Sequence, residues 1–256
     1  MQTVSGGGNV TPAKRLIMIA PSGLIVPPAL LANTVAWYDT KYTDRNDITM
    51  LQDSSGNNRH MTLSNFDGTG TSGYVSSPIE YLATDGVDDR GRYAENNVVP
   101  QHSDVSAVVV FKPVSNAEIF FGQGNATYTF EFYTRGNGAS STFYITDSDI
   151  SSQTSSIGTA PLDGAKWYIA ILTYAQSTKK IKGWLNGQYL GEGSALTNGI
   201  RQTNNIRIVG SKENTHTGSH VGNFALGAVF DKALSDNEVK ILHNHVCARF
   251  GIDAVA

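Results

Sequence analysis

The sequence predicts an all-β sandwich, and three observations lead to this fold class. Short runs of β-branched and aromatic residues recur from Val35 onward, separated by Gly, Asn and Asp. Glycine occurs 26 times in 256 residues, and charged residues are 16% of the chain, against about 25% in an average soluble domain. Helical periodicity is confined mainly to the C-terminus. Many short strands between turn residues are typical of two packed sheets.

The predicted strands follow one another at short intervals along the chain. We expect them at 34–39, 60–63, 76–82, 106–111, 117–121, 128–133, 142–145, 166–174 and 206–210. The stretch 122–125 reads as a turn, because it alternates Gly with Gln and Asn.

Residues 182–190 form the clearest predicted hairpin. Asn186-Gly187 stands between two alternating apolar runs. A type I′ turn needs positive φ at both central residues, and Asn and Gly adopt it most readily. We therefore expect two adjacent antiparallel strands here, with Trp184 on the first.

Residues 235–250 carry the signals of a C-terminal helix. Ser235 and Glu238 have the spacing of a capping box, and Leu234 and Val239 that of a hydrophobic staple. Gly251 is a natural C-terminal stop. One helical face is formed by Val239, Leu242, Val246 and Phe250.

The order of several motifs resembles the concanavalin A-like superfamily, in its laminin-G and pentraxin branch. The motifs are Trp37-Tyr38-Asp39, Asp53-Ser-Ser-Gly-Asn57, Leu82-Ala-Thr-Asp-Gly-Val-Asp-Asp89, Trp184-Leu-Asn-Gly187 and Ala233-Leu-Ser-Asp-Asn-Glu238. The resemblance covers roughly residues 35–251. It implies a two-sheet antiparallel jelly roll of the kind that phage structural proteins display, and a glycan-binding function.

Composition and hydropathy exclude several other functions. The net charge is −3 and the pI is near 6.0, whereas nucleic-acid readers usually carry basic stripes. No apolar run approaches the ~20 residues that span a bilayer, so we expect no membrane insertion. Leu16–Ala20 is too short for a secretion signal and is followed by Pro21. We therefore expect synthesis in a host cytoplasm without a signal peptide.

Residues 1–33 differ from the domain predicted for 34–256, which includes the helix 235–250. Four of the eight prolines lie in this N-terminal segment, and Pro favours an extended chain. The segment is also too apolar for a solvated linker. It is either an edge strand on its own domain or, as we favour, an anchoring arm that docks on another subunit. The docking residues would be Leu16, Ile17, Ile19, Leu24, Ile25 and Val26.

Three carboxylates fall within five residues at Asp85, Asp88 and Asp89. Hard oxygen ligands of this kind suit Ca²⁺, and related laminin-G and pentraxin domains often bind Ca²⁺ at one rim of the sandwich. The alternative is structural, since Asp and Gly also make the turn before the next strand. No other cofactor is indicated.

Four aromatic residues on predicted strands are candidate sugar platforms, because a pyranose ring stacks its C–H groups on an aromatic face. They are Tyr128, Tyr133, Tyr144 and Trp184. The alternative for each of them is core packing.

An enzymatic function is disfavoured. Glucanases of this superfamily carry an E-x-D-x-E strand motif, whose alternate acids face one cleft. Glu131 is not followed by the two further acids that such a triplet requires. His216 and His220 flank a polar loop and are expected to be solvated.

The function expected from the sequence is that of a non-catalytic structural protein of a phage virion. It would be a capsid-decoration, head-fibre or tail component whose lectin-like domain binds host or mucus glycans. Its partners would be other virion proteins, contacted through the arm, in a homo-oligomer or larger assembly. The alternative is a carbohydrate-binding module or adhesin domain of a secreted bacterial protein. A glycan hydrolase or lyase is a third, less favoured interpretation.

Overall fold

The computed structural model shows two antiparallel β-sheets packed face to face, with one α-helix, α1 (Asp236–Phe250), against the outer side of one of them. The residues that the structure describes are 19–20, 23–24, 26–44, 46–76, 78–85, 87–93, 98–99, 103–114, 121–124, 128–135, 142–148, 154–197, 206–208 and 221–252. The predicted all-β sandwich with a C-terminal helix is confirmed.

The first sheet joins eight described strands. In spatial order they are β13 (Thr154–Pro161), β12 (Thr142–Ser148), β11 (Tyr128–Arg135), β10 (Phe121–Gly124), β17 (Ile206–Ile208), β8 (Arg90–Tyr93), β5 (Met61–Ser64) and β4 (Met50–Leu51). Every neighbouring pair is antiparallel.

The second sheet has seven described strands in a row. In spatial order they are β16 (Gln188–Glu192), β15 (Lys180–Leu185), β14 (Tyr168–Ala175), β9 (Val105–Pro113), β18 (Val221–Phe230), β7 (Tyr81–Asp85) and β6 (Gly73–Val75). An eighth strand, β3 (Thr34–Asp39), pairs with the second half of β18. A separate short ladder pairs β1 (Ile19–Ala20) with β2 (Gly23–Leu24).

The main core lies between the two sheets. Alternate residues of each strand point to one face, and the inward-facing ones are almost all apolar and buried. The second sheet contributes Ala107, Val109, Phe111, Ala170, Leu172 and Phe224, and the first contributes Met61, Leu63, Phe121, Phe132, Ile157 and Ile206.

A second apolar layer lies on the other side of the second sheet. Here the remaining alternate residues of β9, β14 and β18 pack against α1 and against a segment at residues 26–31. The sheet supplies Trp37, Val108, Val110, Ile169, Ile171 and Phe230, and the helix supplies Val239, Leu242, Val246 and Phe250. Both faces of the second sheet are therefore buried, which explains why β9 reads as a continuous apolar run.

The predicted helix and hairpin are confirmed. The Ser235 side chain accepts from the Glu238 N–H, and the Glu238 carboxylate accepts from the Ser235 N–H. Gly251 ends the helix at φ 63°, in the left-handed region. In the hairpin, Asn186 and Gly187 have φ values of 48° and 78°, as a type I′ turn requires.

One expected turn and one expected strand position are wrong. Residues 122–124 of the turn expected at 122–125 belong to β10, because this strand pairs on one side with β11 and on the other with β17. The strand expected at 76–82 begins only at Tyr81, and β6 ends before it at Val75. Residues 117–120 lie outside the described part of the chain.

The helix is tied to the sheet by a buried ion pair that the sequence did not reveal. Arg249 donates from Nε and Nη2 to the two carboxylate oxygens of Asp39, at 3.0 and 2.8 Å. The guanidinium also lies over the rings of Tyr42 and Phe250. Burial raises the pKa of Asp39, although the hydrogen bond from Arg249 opposes this rise.

The residues assigned to the anchoring arm need one correction. Val26 is 4% exposed and packs in the apolar layer under α1, together with Leu30. Residues 26–31 therefore belong with the domain, because their side chains fill the space beside the helix. Ile19 and Leu24 pair with each other in the β1–β2 ladder. Leu16, Ile17 and Ile25 lie outside the described residues.

Candidate functional site

The outer face of the first sheet is the candidate binding surface. On β5 and β8 the inward residues Leu63 and Gly91 are buried, whereas Thr62, Arg90 and Arg92 are exposed. Among the described residues, α1 and the 26–31 segment cover the second sheet and not this face. In the described part of the chain, the outer residues of these two strands are therefore open to solvent.

The strand register places two predicted sugar-binding residues side by side in this sheet. Tyr133 on β11 is the direct partner of Tyr144 on β12. The neighbouring position 132 faces the core, since Phe132 is fully buried. Because neighbouring residues in a strand occupy opposite faces, positions 133 and 144 belong to the outer face. Direct cross-strand partners have Cβ atoms roughly 4.5–5.5 Å apart.

A neighbouring row of outer-face positions leads across the sheet to an exposed arginine. Arg92 on β8 pairs with Arg207 on β17, and Gly122 on β10 pairs with both Arg207 and Glu131. This row crosses β11 at Glu131, two residues from Tyr133, and Arg92 stands three strands away from β11. The Arg92 side chain is exposed.

Tyr128 and Trp184 do not join this pair. Tyr128 pairs with Gly124 at the far end of β11, beyond a β-bulge. Trp184 is on the second sheet and only 6% exposed, which agrees with the alternative of core packing. It is buried because α1 covers that face of β15.

Sequence reasoning missed the exposed aromatic beside Trp184. Tyr189 is 54% exposed, and its ring centroid lies 5.4 Å from that of Trp184. Tyr189 is the cross-strand partner of Trp184 in the hairpin. The two-residue turn Asn186-Gly187 already places Tyr189 opposite Trp184, so this pairing could have been predicted from the sequence.

The three rim carboxylates come together as the sequence suggested. One carboxylate oxygen from each of Asp85, Asp88 and Asp89 lies within 4.8 Å of the others. The spacing is compatible with a shared hard cation such as Ca²⁺. The same residues also build the turn, since the Asp85 side chain accepts from the N–H of Val87 at 2.7 Å.

Asp89 is the buried member of this cluster. Its two oxygens accept from the Ser72 hydroxyl and from the Asp85 N–H, both at 2.8 Å. Burial raises the pKa of Asp89 to about 6, although these two hydrogen bonds oppose the rise. A cation bound at the cluster would favour the ionised carboxylate and lower this pKa.

Two further residues with side-chain oxygens, Asp53 and Asn57, stabilise a turn through hydrogen bonds. Asp53 accepts from the backbone N–H groups of Trp37, Ser55 and Arg59. Asn57 donates to the carbonyls of residues 34 and 35 at 2.8 and 2.9 Å. The side chains of the Asp53–Asn57 turn therefore hold β3 in place by hydrogen bonds to its backbone.

Comparisons with known proteins support the fold. Neither a family model nor a curated protein sequence matches this chain. Among solved structures, it is similar to the binding domain of botulinum neurotoxin DC in complex with rat synaptotagmin II, with a TM-score of 0.60 and 15% identity. It is also similar to a Trypanosoma rangeli sialidase in complex with sialic acid, with a TM-score of 0.63 and 14% identity.

These similarities cover most of this chain but only part of the others. The neurotoxin match covers 85% of this chain and 52% of the toxin chain, and the sialidase match covers 88% and 35%. A binding domain of botulinum neurotoxin serotype D is similar to the same extent, with a TM-score of 0.60, 12% identity, and 85% and 53% coverage. At such identities the likeness establishes the fold alone, a β-sandwich. In the described part of the chain, no helix is both long and apolar enough to span a membrane.

Proposed function

We propose that this protein is a non-catalytic glycan-binding domain that uses the outer face of its first sheet. One observation carries the proposal: Tyr133 and Tyr144 are direct cross-strand partners in that sheet, at outer-face positions. Two adjacent tyrosines provide the area on which one or two pyranose rings can stack.

Arg92 gives the proposed surface a polar partner for the sugar. Its side chain is exposed on the same outer face, three strands from β11 and in the neighbouring row of positions, so it would contact a further unit of an oligosaccharide and not the ring stacked on the tyrosines. A guanidinium donates to hydroxyls and, in bidentate fashion, to carboxylates. We expect tyrosine stacking to supply most of the affinity and Arg92 to select the orientation of the glycan.

Glycan-array binding tests this proposal. We expect the full chain to bind at least one glycan class, and a Tyr133→Ala, Tyr144→Ala double variant to lose that binding. A Thr62→Ala variant serves as the control, because Thr62 is exposed on the same face. Absence of binding to every glycan contradicts the proposal. Release of reducing sugar from a bound polysaccharide would contradict its non-catalytic part.

We further propose that the domain is displayed on a phage particle, with the N-terminal residues as the anchor. Support comes from the Pro-rich, apolar composition of that segment, which suits docking by strand addition or in a groove. Because Val26 and Leu30 are buried in the domain, the truncation that tests anchoring should remove residues 1–25 only. We expect the truncated chain to fold, shown by an unchanged thermal midpoint, and to fail to join the particle. Incorporation of this variant would contradict the anchoring role.

A further inference from the structure

A groove lies between the hairpin β15–β16 and the N-terminal half of α1, on the opposite side of the sandwich from the first sheet. Its volume is about 380 Å³, within the roughly 300–1,000 Å³ that is typical of small-molecule sites. Its lining residues are Trp184, Gly187, Asp236, Asn237, Val239, Lys240, His243 and Asn244.

The floor of the groove is rigid and largely apolar. Trp184, Val239 and His243 are 6%, 3% and 4% exposed. The His243 ring fits directly against the hairpin turn, since a Cβ built on Gly187 would lie 2.9 Å from its Cε1 atom. Burial lowers the pKa of His243, although a hydrogen bond with Asn244 opposes this. The neutral imidazole is thus favoured, and the floor carries no charge.

The rim of the groove is polar and exposed. It consists of Asp236, Asn237, Lys240 and Asn244, which lie along one side of α1. The rim carries charges of both signs, since Lys240 lies on the same side of the helix as Asp236, which is itself 3.8 Å from the ammonium of Lys182 on β15. Amide, carboxylate and ammonium groups together offer both donors and acceptors, which is the combination that vicinal hydroxyl groups require.

The aromatic surface also continues outside the groove. Tyr189 is 54% exposed beside Trp184, with the two ring centroids 5.4 Å apart. An exposed tyrosine next to a pocket is a favourable contact for a partly apolar, hydroxyl-rich ligand. It would extend a bound unit toward solvent.

We propose that this groove is a second binding site, for a neutral pyranoside unit. The C–H face of the sugar would lie over the apolar floor, and its hydroxyls would bond to Asn237, Lys240 and Asn244. The site lies on the opposite side of the sandwich from the Tyr133–Tyr144 pair. One glycan could therefore occupy both sites only if it bridges two protein molecules or passes around an edge of the sandwich. This inference does not depend on the proposed function of the first sheet.

The test uses two-dimensional ¹⁵N–¹H NMR of the full chain, titrated with methyl pyranosides of glucose, galactose, mannose and N-acetylglucosamine at millimolar concentration. We expect at least one sugar to shift the side-chain amide signals of Asn237 and Asn244 in a saturable way. An Asn237→Ala variant should weaken this binding by about threefold to tenfold, the worth of one hydrogen bond. Ile241→Ala is the control, because Ile241 is an exposed residue of the same helix outside the groove lining.

The possible results separate the two sites. Saturable shifts at the two asparagines of the wild type support the groove if the Asn244 signal titrates more weakly in Asn237→Ala and is unchanged in Ile241→Ala. Shifts confined to β8, β11 and β12 would overturn the groove site and leave the proposal for the first sheet standing. No shift with any of the four sugars would overturn the groove site. Shifts at the groove without any at the first sheet would support the second site alone.

Discussion

The two sheets of this sandwich differ in what covers them. The second sheet is buried on both faces, by the first sheet on one side and by α1 with residues 26–31 on the other. On the first sheet, β5 and β8 alternate between buried and exposed residues. The second sheet is therefore the centre of a three-layer scaffold, whereas the described outer residues of β5 and β8 in the first sheet are open to solvent.

The sequences of the strands reflect this difference. β9 reads Val-Ser-Ala-Val-Val-Val-Phe-Lys-Pro, and its first seven residues are all buried. β8 reads Arg-Gly-Arg-Tyr, with both arginines exposed. A continuous apolar strand indicates cover on both faces, and an alternating one indicates solvent on one side. Substitutions on the two outer faces should therefore have very different effects.

The largest expected effect is at Trp37, under the helix. It is fully buried and meets the Phe230 and His245 rings edge-on, at centroid distances of 6.5 and 6.0 Å. Trp37→Ala should lower the free energy of unfolding by about 3–5 kcal/mol through cavity formation. Thr62→Ala, on the exposed face of the first sheet, should change it by less than about 0.5 kcal/mol. Equal losses in urea denaturation would contradict the contrast between the faces.

The next effect is expected at the ion pair between α1 and the second sheet. Arg249→Met should cost about 3 kcal/mol, because it leaves the Asp39 carboxylate buried without its cation. An Asp39→Leu, Arg249→Met double variant should regain most of this loss, since no buried charge is left unpaired. Urea denaturation measures both. If the double variant is as unstable as the sum of the singles, the pair is not an isolated electrostatic unit.

A smaller effect is expected where the hairpin turn touches the helix. Gly187→Ala combines the strain of φ 78° with the 2.9 Å approach to His243, and should cost about 2 kcal/mol. Gly56→Ala is the matched control, since φ is 85° there and no atom lies within 4 Å of the added Cβ. It should cost about 1 kcal/mol. Equal costs in thermal or urea denaturation would show that the contact with His243 contributes nothing.

The smallest effect is the pH dependence contributed by Asp89. Because its pKa is raised to about 6, its stabilising contribution is present at low pH and is lost as the pH rises through 6. Between pH 5 and pH 7, in EDTA, the stability of the wild type relative to Asp89→Asn should fall by about 1 kcal/mol. The lowered pKa of His243 acts in the opposite direction, but it cancels between the two proteins.

Calcium provides the second arm of that experiment. If Ca²⁺ binds at the rim cluster, adding it should raise the wild-type thermal midpoint and reduce this pH dependence, since the ion favours the ionised carboxylate. A thermal midpoint that does not respond to Ca²⁺ would indicate that the three carboxylates only stabilise the turn and do not bind the ion. An identical pH profile for Asp89→Asn and wild type would contradict the raised pKa.

The features that sequence predicted well are those fixed by local chemistry. Asn186-Gly187 and the Ser235–Glu238 cap were confirmed because each depends on the backbone of only a few consecutive residues. Most of β10 was predicted as a turn, because Gly122-Gln-Gly124 has no apolar pattern of its own. These residues become a strand only through the pairing of β10 with β11 and β17. The Asp39–Arg249 pair joins residues 210 positions apart, which no local pattern reveals.

The candidate site was partly predictable for the same reason. Alternation identified Tyr133 and Tyr144 as strand residues, but their pairing follows from the register of two strands, which the sequence does not specify. Trp184 looked equally suitable, and only the position of the helix shows that it is covered. An aromatic residue on a strand can be assigned to a binding surface only when it is known whether another element covers that face of the sheet.

Isothermal titration with the best glycan from the array tests the central claim most directly. We predict that the wild type binds it, and that the Tyr133→Ala, Tyr144→Ala double variant binds at least about fivefold more weakly, since each aromatic contact is worth about 0.5–1.5 kcal/mol. The thermal midpoint of the double variant should stay close to that of the wild type. Unchanged affinity in a folded double variant would contradict the assignment of glycan binding to the outer face of the first sheet.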